Sequence, residues 1–167
     1  RIQALISYYV SNDDRLAKNA ITQFAHSQTY EGLTRSSWPN HGLQYIPPFS
    51  LFWALMLHDL YWFRGDTDFV KTFMPNVQRV FDWHNTFLDG DGLLRDVPNW
   101  NFVDWPDPWK WDNKLGYGGI PDGGVVGVST VINLQYAYAL IKLAEVAAVL
   151  GDMTKRDTYL QQADIIK

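Results

Sequence analysis

The sequence predicts an all-α fold in which three helical hairpins form part of a ring of such hairpins, a toroid. Two features carry this prediction. A strongly apolar segment, a tight Asn-Asp or Gly-Asp turn and an amphipathic segment recur three times, and long loops separate the three units. In addition, 47% of the residues are hydrophobic and none is cysteine, so helix packing rather than disulfide bonds must hold the chain together.

The first hairpin begins with the apolar segment Ile2–Val10 and turns at Asn12-Asp13. Its second segment repeats apolar residues at helical spacing, at Leu16, Ala20, Ile21 and Phe24. A long loop over residues 28–48 follows.

The second hairpin begins with a helix over residues 49–63 and turns at Gly65-Asp66. Its amphipathic partner contains Pro75, which we expect to interrupt that helix or to open its second part. A still longer loop, residues 89–128, leads to the third hairpin.

The third hairpin pairs a helix over residues 129–150 with a closing helix after Gly151-Asp152. In each hairpin the first helix is apolar nearly all round and must be enclosed, whereas the amphipathic second helix can face water. The first helices are therefore predicted to lie inside.

Three inner helices cannot enclose one another, so we expect further hairpins on both sides, with this chain as roughly half of a six-hairpin ring. We treat it as a single partial domain, a piece of a longer protein. An open solenoid of the tetratricopeptide type is the competing architecture, but its compact repeats do not accommodate such long loops. In stacked hairpins long loops collect on one face, which is usually the binding face.

Composition excludes several function classes. The net charge is -4 without a run of basic residues, so the chain lacks the footprint of a nucleic-acid partner. The most apolar stretch, residues 47–63, contains His58 and Asp59 and is shorter than the roughly 20 residues of a membrane span. The histidines lack metal-ligand spacing, so we expect no metal or cofactor, and we expect His58 and His84 to be hydrogen-bonded helix residues.

The second long loop concentrates aromatic residues. Four of the eight tryptophans lie within residues 100–111, interleaved with Asp and Asn. The C–H faces of a pyranose stack on indole rings, while carboxylates and amides bind its hydroxyl groups. The loop therefore predicts a carbohydrate site formed by Trp100, Asn101, Asp104 and Trp105, with Asp104 partly desolvated between the two indoles. The alternative is that the rings only pin an irregular loop to the helices.

The first long loop also combines aromatic with polar residues, but less densely. Its candidate sugar-binding residues are Arg35, Trp38 and Tyr45, which would lie on the same face as the tryptophan loop. A solvated, loosely packed connection is the alternative interpretation.

Glycoside hydrolysis requires two carboxyl groups about 5 to 10 Å apart. The chain has only two glutamates: Glu31 lies in the first loop, and Glu145 is expected to pair with Lys142 on the surface of its helix. A complete acid and base pair is not evident from the residues alone.

Five segments extend the case beyond composition: residues 1–5 (RIQAL), 32–34 (GLT), 44–50 (QYIPPFS), 100–105 (WNFVDW) and 134–140 (LQYAYAL). Together they resemble the catalytic domain of bacterial α-L-rhamnosidases, glycoside hydrolase family seventy-eight, over essentially the whole chain. The Phe-Val-Asp-Trp segment is the most specific part. The resemblance implies a six-hairpin (α/α) barrel and inverting hydrolysis of terminal α-L-rhamnose by a Glu acid and a Glu base.

The resemblance also implies where the site residues lie. Asp104 and Trp105 match the family's Asp-Trp segment at the sugar pocket, with Trp105 against the rhamnose methyl group. The catalytic carboxylates would lie before Arg1 and beyond Lys167, so the isolated chain is expected to be inactive. The implied partners are a carbohydrate substrate and the remaining hairpins. Alternatives are a related six-hairpin glycosidase for glucosidic, fucosidic or uronyl substrates, a non-catalytic carbohydrate-binding helical domain, and a helical scaffold for a protein partner.

Overall fold

The structure, a computed structural model, describes residues 1–114 and 116–166. The α-helices in these residues are α1 (Ile2–Val10), α2 (Arg15–His26), α3 (Pro47–Arg64), α4 (Thr67–Asn85), α5 (Thr130–Val149) and α6 (Met153–Ile166). One turn of 3₁₀ helix, Asp107–Trp109, lies in the second loop. No strand forms within the described residues, where only isolated β-bridges occur. The prediction of an all-α chain of three hairpins is confirmed.

The three first helices lie side by side, with α3 packed against both α1 and α5. The second helices α2 and α4 pack on α3, and α6 packs on α5. Most residues of α3 and half of those of α5 are buried. At the two flanks, by contrast, apolar side chains remain exposed, among them Ile2 and Tyr9 on α1 and Leu134 and Tyr138 on α5. That further hairpins cover these two flanks stays a prediction.

The short turns lie at one edge of this helical layer. Gly65 ends α3 with a left-handed φ of 67°, a conformation that favours glycine, and Asp66 caps α4 by accepting a hydrogen bond from the backbone N–H of Phe69. Arg64 donates to the carbonyls of Tyr8 and Ser11 at the end of α1. Helices α1 and α3 therefore run parallel and end at the same level.

Pro75 does not interrupt its helix, because α4 runs unbroken from Thr67 to Asn85. The expected break at this position was wrong. Proline removes one intrahelical donor, which leaves the carbonyl of Lys71 without its usual partner. Both residues lie on the exposed face of α4, where that carbonyl is open to solvent.

Charged groups inside the layer are paired across the inner helices. Arg1 forms a bidentate pair with Asp59, at 2.6 and 2.9 Å. Burial alone would raise the pKa of Asp59, but the hydrogen bonds from Arg1 outweigh it and hold that pKa below its usual value. His58 Nε2 donates to Glu145 at 2.8 Å, and Lys142 donates to the same carboxylate at 2.7 Å, so the expected ion pair of Lys142 with Glu145 forms.

His84 is completely buried between α4 and α5. Its Nδ1 donates to the carbonyl oxygen of Val80 at 2.7 Å, as expected for a hydrogen-bonded helix histidine, and its ring stacks on Tyr136 at 5.4 Å. Burial lowers the pKa of His84 to about 4, so the ring is neutral at physiological pH.

No helix in the described part of the chain is both long enough and apolar enough to cross a membrane.

Candidate functional site

The two long loops, residues 27–46 and 86–129, lie at the edge opposite the short turns, which we call the loop face. They contact each other through the main chain, since the N–H of Trp100 donates to the carbonyl of Tyr45 at 3.4 Å. Asn133 in the first turn of α5 fixes the start of the second loop, accepting from the N–H of Leu94 at 2.8 Å and donating to its carbonyl at 3.1 Å. Both loops are therefore attached to the helical layer and to each other.

A cavity of about 580 Å³ opens at the loop face between α1, α3 and the loops. This size is typical of sites that bind small molecules. Its wall is mainly apolar and includes Phe24, Phe49, Phe52, Trp53, Met56, Phe102 and Val103. Two cationic side chains, Arg1 and Arg35, also line it. A largely apolar cavity with a few polar groups suits a ligand that has both an apolar flank and hydroxyl groups.

Asn101 anchors the second loop rather than facing the cavity. The residue is 1% exposed, and its Nδ2 donates to the carbonyls of Val97 at 2.6 Å and Gly124 at 2.9 Å. These two bonds join the beginning and the end of the loop. The structure thus places Asn101 inside the loop, with its neighbour Phe102 on the cavity wall.

Trp100 and Trp105 pack edge to face, with ring centroids 6.2 Å apart. Trp100 is half-buried, and its Nε1 donates to the carbonyl of Gly118 at 2.8 Å. Trp105 leaves 54% of its surface exposed, and its ring contacts Phe102 at 5.0 Å. Trp100 therefore holds the loop in place, while Trp105 presents an indole to solvent beside the cavity.

Asp104 is exposed, so the expectation that the flanking indoles would desolvate it was wrong. The physical reason is that Trp100 turns toward Gly118 instead of covering the carboxylate. Asp104 Oδ1 accepts a hydrogen bond from the N–H of Trp105 at 2.8 Å, which fixes the carboxylate beside the exposed indole.

In the first loop, Arg35 connects the cavity to Trp38. The guanidinium of Arg35 lies 4.9 Å from the centre of the Trp38 ring and donates to the carbonyl of Asn40 at 3.1 Å. Trp38 therefore supports Arg35 rather than lining the cavity itself. Tyr45 is half-buried and packs against the core, with its carbonyl bound to Trp100.

The structure brings four of the predicted residues to one region: Arg35 on the cavity wall, and Trp100, Asp104 and Trp105 beside it. Sequence reasoning missed most of the wall, above all Phe49, Phe52 and Phe102. Their positions in the sequence could have indicated them: Phe49 and Phe52 lie near the start of a buried helix, and Phe102 lies between two predicted site residues. Within the described residues no group of three or more His, Asp or Glu side chains is placed to hold a metal ion.

Comparisons with known proteins agree with this architecture. A solved GH78 family rhamnosidase of Bacillus sp. GL1 is similar with a TM-score of 0.81 and 23% identity, over 98% of this chain and 16% of that one. A solved rhamnosidase from Klebsiella oxytoca with rhamnose bound is similar with a TM-score of 0.77 and 17% identity, over 99% of this chain and 30% of that one.

The chain thus spans less than a third of either solved rhamnosidase. No curated protein matches it. Its match to a family, by contrast, covers residues 1–167, the whole sequence. The chain belongs to the family of the bacterial alpha-L-rhamnosidase six-hairpin glycosidase domain.

Proposed function

We propose that the full-length protein is an inverting glycosidase that removes terminal α-L-rhamnose from plant or bacterial glycans, and that this chain supplies sugar-binding residues rather than the catalytic carboxylates. The supporting observation is the cavity of about 580 Å³, which lies beside the exposed Trp105 and Asp104 in a chain of this family. Rhamnose carries a methyl group where most hexoses carry a hydroxymethyl group, so an apolar wall suits one flank of this sugar.

Each residue has a distinct role in this proposal. The indole of Trp105 packs on the rhamnose methyl group, and the carboxylate of Asp104 accepts hydrogen bonds from ring hydroxyls. The guanidinium of Arg35, which packs on Trp38, donates hydrogen bonds to the sugar from the first loop. Asn101, Trp100 and Tyr45 keep the two loops in register.

Inverting hydrolysis requires an acid and a base, with carboxyl groups about 6.5 to 9.5 Å apart. Asp104 alone cannot supply both, and we assign it to binding. The isolated 167-residue chain should therefore show no hydrolase activity.

Hydrolysis of an aryl α-L-rhamnoside by the full-length protein tests the proposal, with NMR of the first-formed sugar to determine whether the anomeric configuration inverts. Turnover by the isolated chain would contradict the assignment of Asp104. Turnover restricted to other glycosides would make the protein a different six-hairpin glycosidase, and sugar binding without turnover would make it a carbohydrate-binding domain.

A further inference from the structure

A row of aromatic rings runs out of the cavity along the second loop. It begins with Phe49 on α3, whose ring lies 6.1 Å from that of Phe102 on the cavity wall. The ring centroids of Phe102 and Trp105 are 5.0 Å apart, and those of Trp105 and Trp111 are 6.5 Å apart. The two outer rings are nearly parallel, at 28°, and each is more than half exposed. The row therefore ends in an open platform of two indoles.

Backbone contacts fix the outer end of this row. The N–H of Asp112 donates to the carbonyl of Tyr117 at 3.0 Å, and the N–H of Gly119 donates to the carbonyl of Trp109 at 2.7 Å. Gly118 lies so close to Trp111 that a Cβ atom on it would be 2.6 Å from the Trp111 Cα. The indole of Trp111 is thus presented by a close-packed ribbon while half of its surface faces solvent. A large, fixed, exposed aromatic surface is typical of a binding site.

From this arrangement we propose that Trp111 forms a subsite for the sugar residue that precedes the terminal rhamnose in the glycan. The inference rests on the proposed function, because a glycan whose terminal rhamnose lies at Trp105 places its preceding sugar against a surface next to this ring. Trp111 is the exposed ring that lies beside Trp105 and outside the cavity wall. Asp104 precedes Trp105 and Asp112 follows Trp111 in the sequence, and one oxygen of each carboxylate accepts from a loop N–H. Carboxylates bind sugar hydroxyls, which favours a pyranose over a flat aromatic aglycone.

The test compares two substrates of the full-length protein. An α-L-rhamnosyl-glucose disaccharide extends to Trp111, whereas methyl α-L-rhamnoside ends before it. Trp111→Ala should lower kcat/KM for the disaccharide about tenfold and change kcat/KM for the methyl rhamnoside less than about twofold, because only the longer substrate loses stacking on the ring. Trp111→Phe should recover most of the loss.

Tyr30→Ala provides a matched control, since this residue is 90% exposed in the first loop and is not part of the aromatic row. Tyr30→Ala should leave kcat/KM unchanged for both substrates. An equal loss on both substrates with Trp111→Ala, or no loss on the disaccharide, would overturn the subsite. A loss confined to an aryl rhamnoside would overturn the assignment to a sugar and identify an aromatic leaving group.

Direct binding separates failure of the subsite from failure of the proposed function. If the wild-type protein hydrolyses no rhamnoside, calorimetric binding of the disaccharide that weakens about tenfold in Trp111→Ala would still support the subsite. Equal binding by the wild type and the variant would overturn it.

Discussion

The helical layer and the loop face each contain side chains that are unusual for their surroundings, and they differ in how these side chains are partnered. In the layer, Asp59 and His84 are polar residues within apolar surroundings, and each is bound to a group of the protein. At the loop face, Trp105 and Trp111 are large apolar residues that expose half of their surface. The bonds from Arg1 to Asp59 and from His84 Nδ1 to Val80 stabilise the fold, although His84 Nε2 is buried without a partner among the described residues, whereas rings that face solvent are available to a ligand.

The largest effect expected from this comparison is a loss of stability in Asp59→Ala. The substitution leaves the guanidinium of Arg1 partly buried without its carboxylate, which should destabilise the full-length protein by about 3 to 5 kcal/mol. Urea unfolding measures the change. Asp68→Ala is the matched control, because Asp68 lies exposed on α4. Equal effects of the two substitutions would show that the pair contributes nothing particular to the layer.

His84 should make stability depend on pH. Its pKa is lowered from 6.5 to about 4, so the unfolded chain takes up a proton first as the pH falls. The buried neutral ring therefore contributes to the free energy of unfolding on the order of 3 kcal/mol, fully present above pH 6.5 and lost as the pH falls toward 4. The difference in unfolding free energy between wild type and His84→Gln should shrink over that range. A constant difference would show that His84 does not titrate in this way.

Trp105→Ala should weaken sugar binding by about 1 to 3 kcal/mol and leave the domain folded, because more than half of the ring's surface faces solvent. Calorimetry and thermal unfolding of the full-length protein measure the two quantities. Trp100→Ala should instead lower the melting temperature, since Trp100 is half-buried and bonded to Gly118. A lower melting temperature without a binding defect in Trp105→Ala would assign that ring to the scaffold.

The smallest effect is expected from Asp104→Asn, which retains the shape of the side chain and removes its charge. The free energy of sugar binding should become less favourable by about 1 kcal/mol, the scale of one hydrogen bond. Turnover should fall as well. The acid limb of the pH profile should persist in rhamnoside hydrolysis, because Asp104 binds hydroxyls and transfers no proton. Loss of that limb would make Asp104 a catalytic carboxylate.

Local patterns were sufficient for the helices but not for the loop contacts. The helix expected over residues 129–150 runs from Thr130 to Val149, because its apolar composition and its flanking Gly-Asp turn are both local features. The helix expected from residue 49 begins at Pro47, since proline suits the first turn of a helix.

Asn101 could not be distinguished from Asp104 by such reasoning. Both are polar residues next to tryptophan, and only the folded loop brings the carbonyls of Val97 and Gly124 to the amide of Asn101. The aromatic cavity wall was missed for the same reason, because Phe49 and Phe102 meet only in the tertiary structure.

The bond between the two loops has a consequence for how their sequences can vary. It joins the N–H of Trp100 to the carbonyl of Tyr45, so the side chain of Tyr45 takes no part in it. A substitution at position 45 can therefore change how this side chain packs on the helical layer while the main-chain bond between the loops is retained. Position 38 is the more direct route to a changed sugar preference, because the Trp38 ring supports Arg35 on the cavity wall.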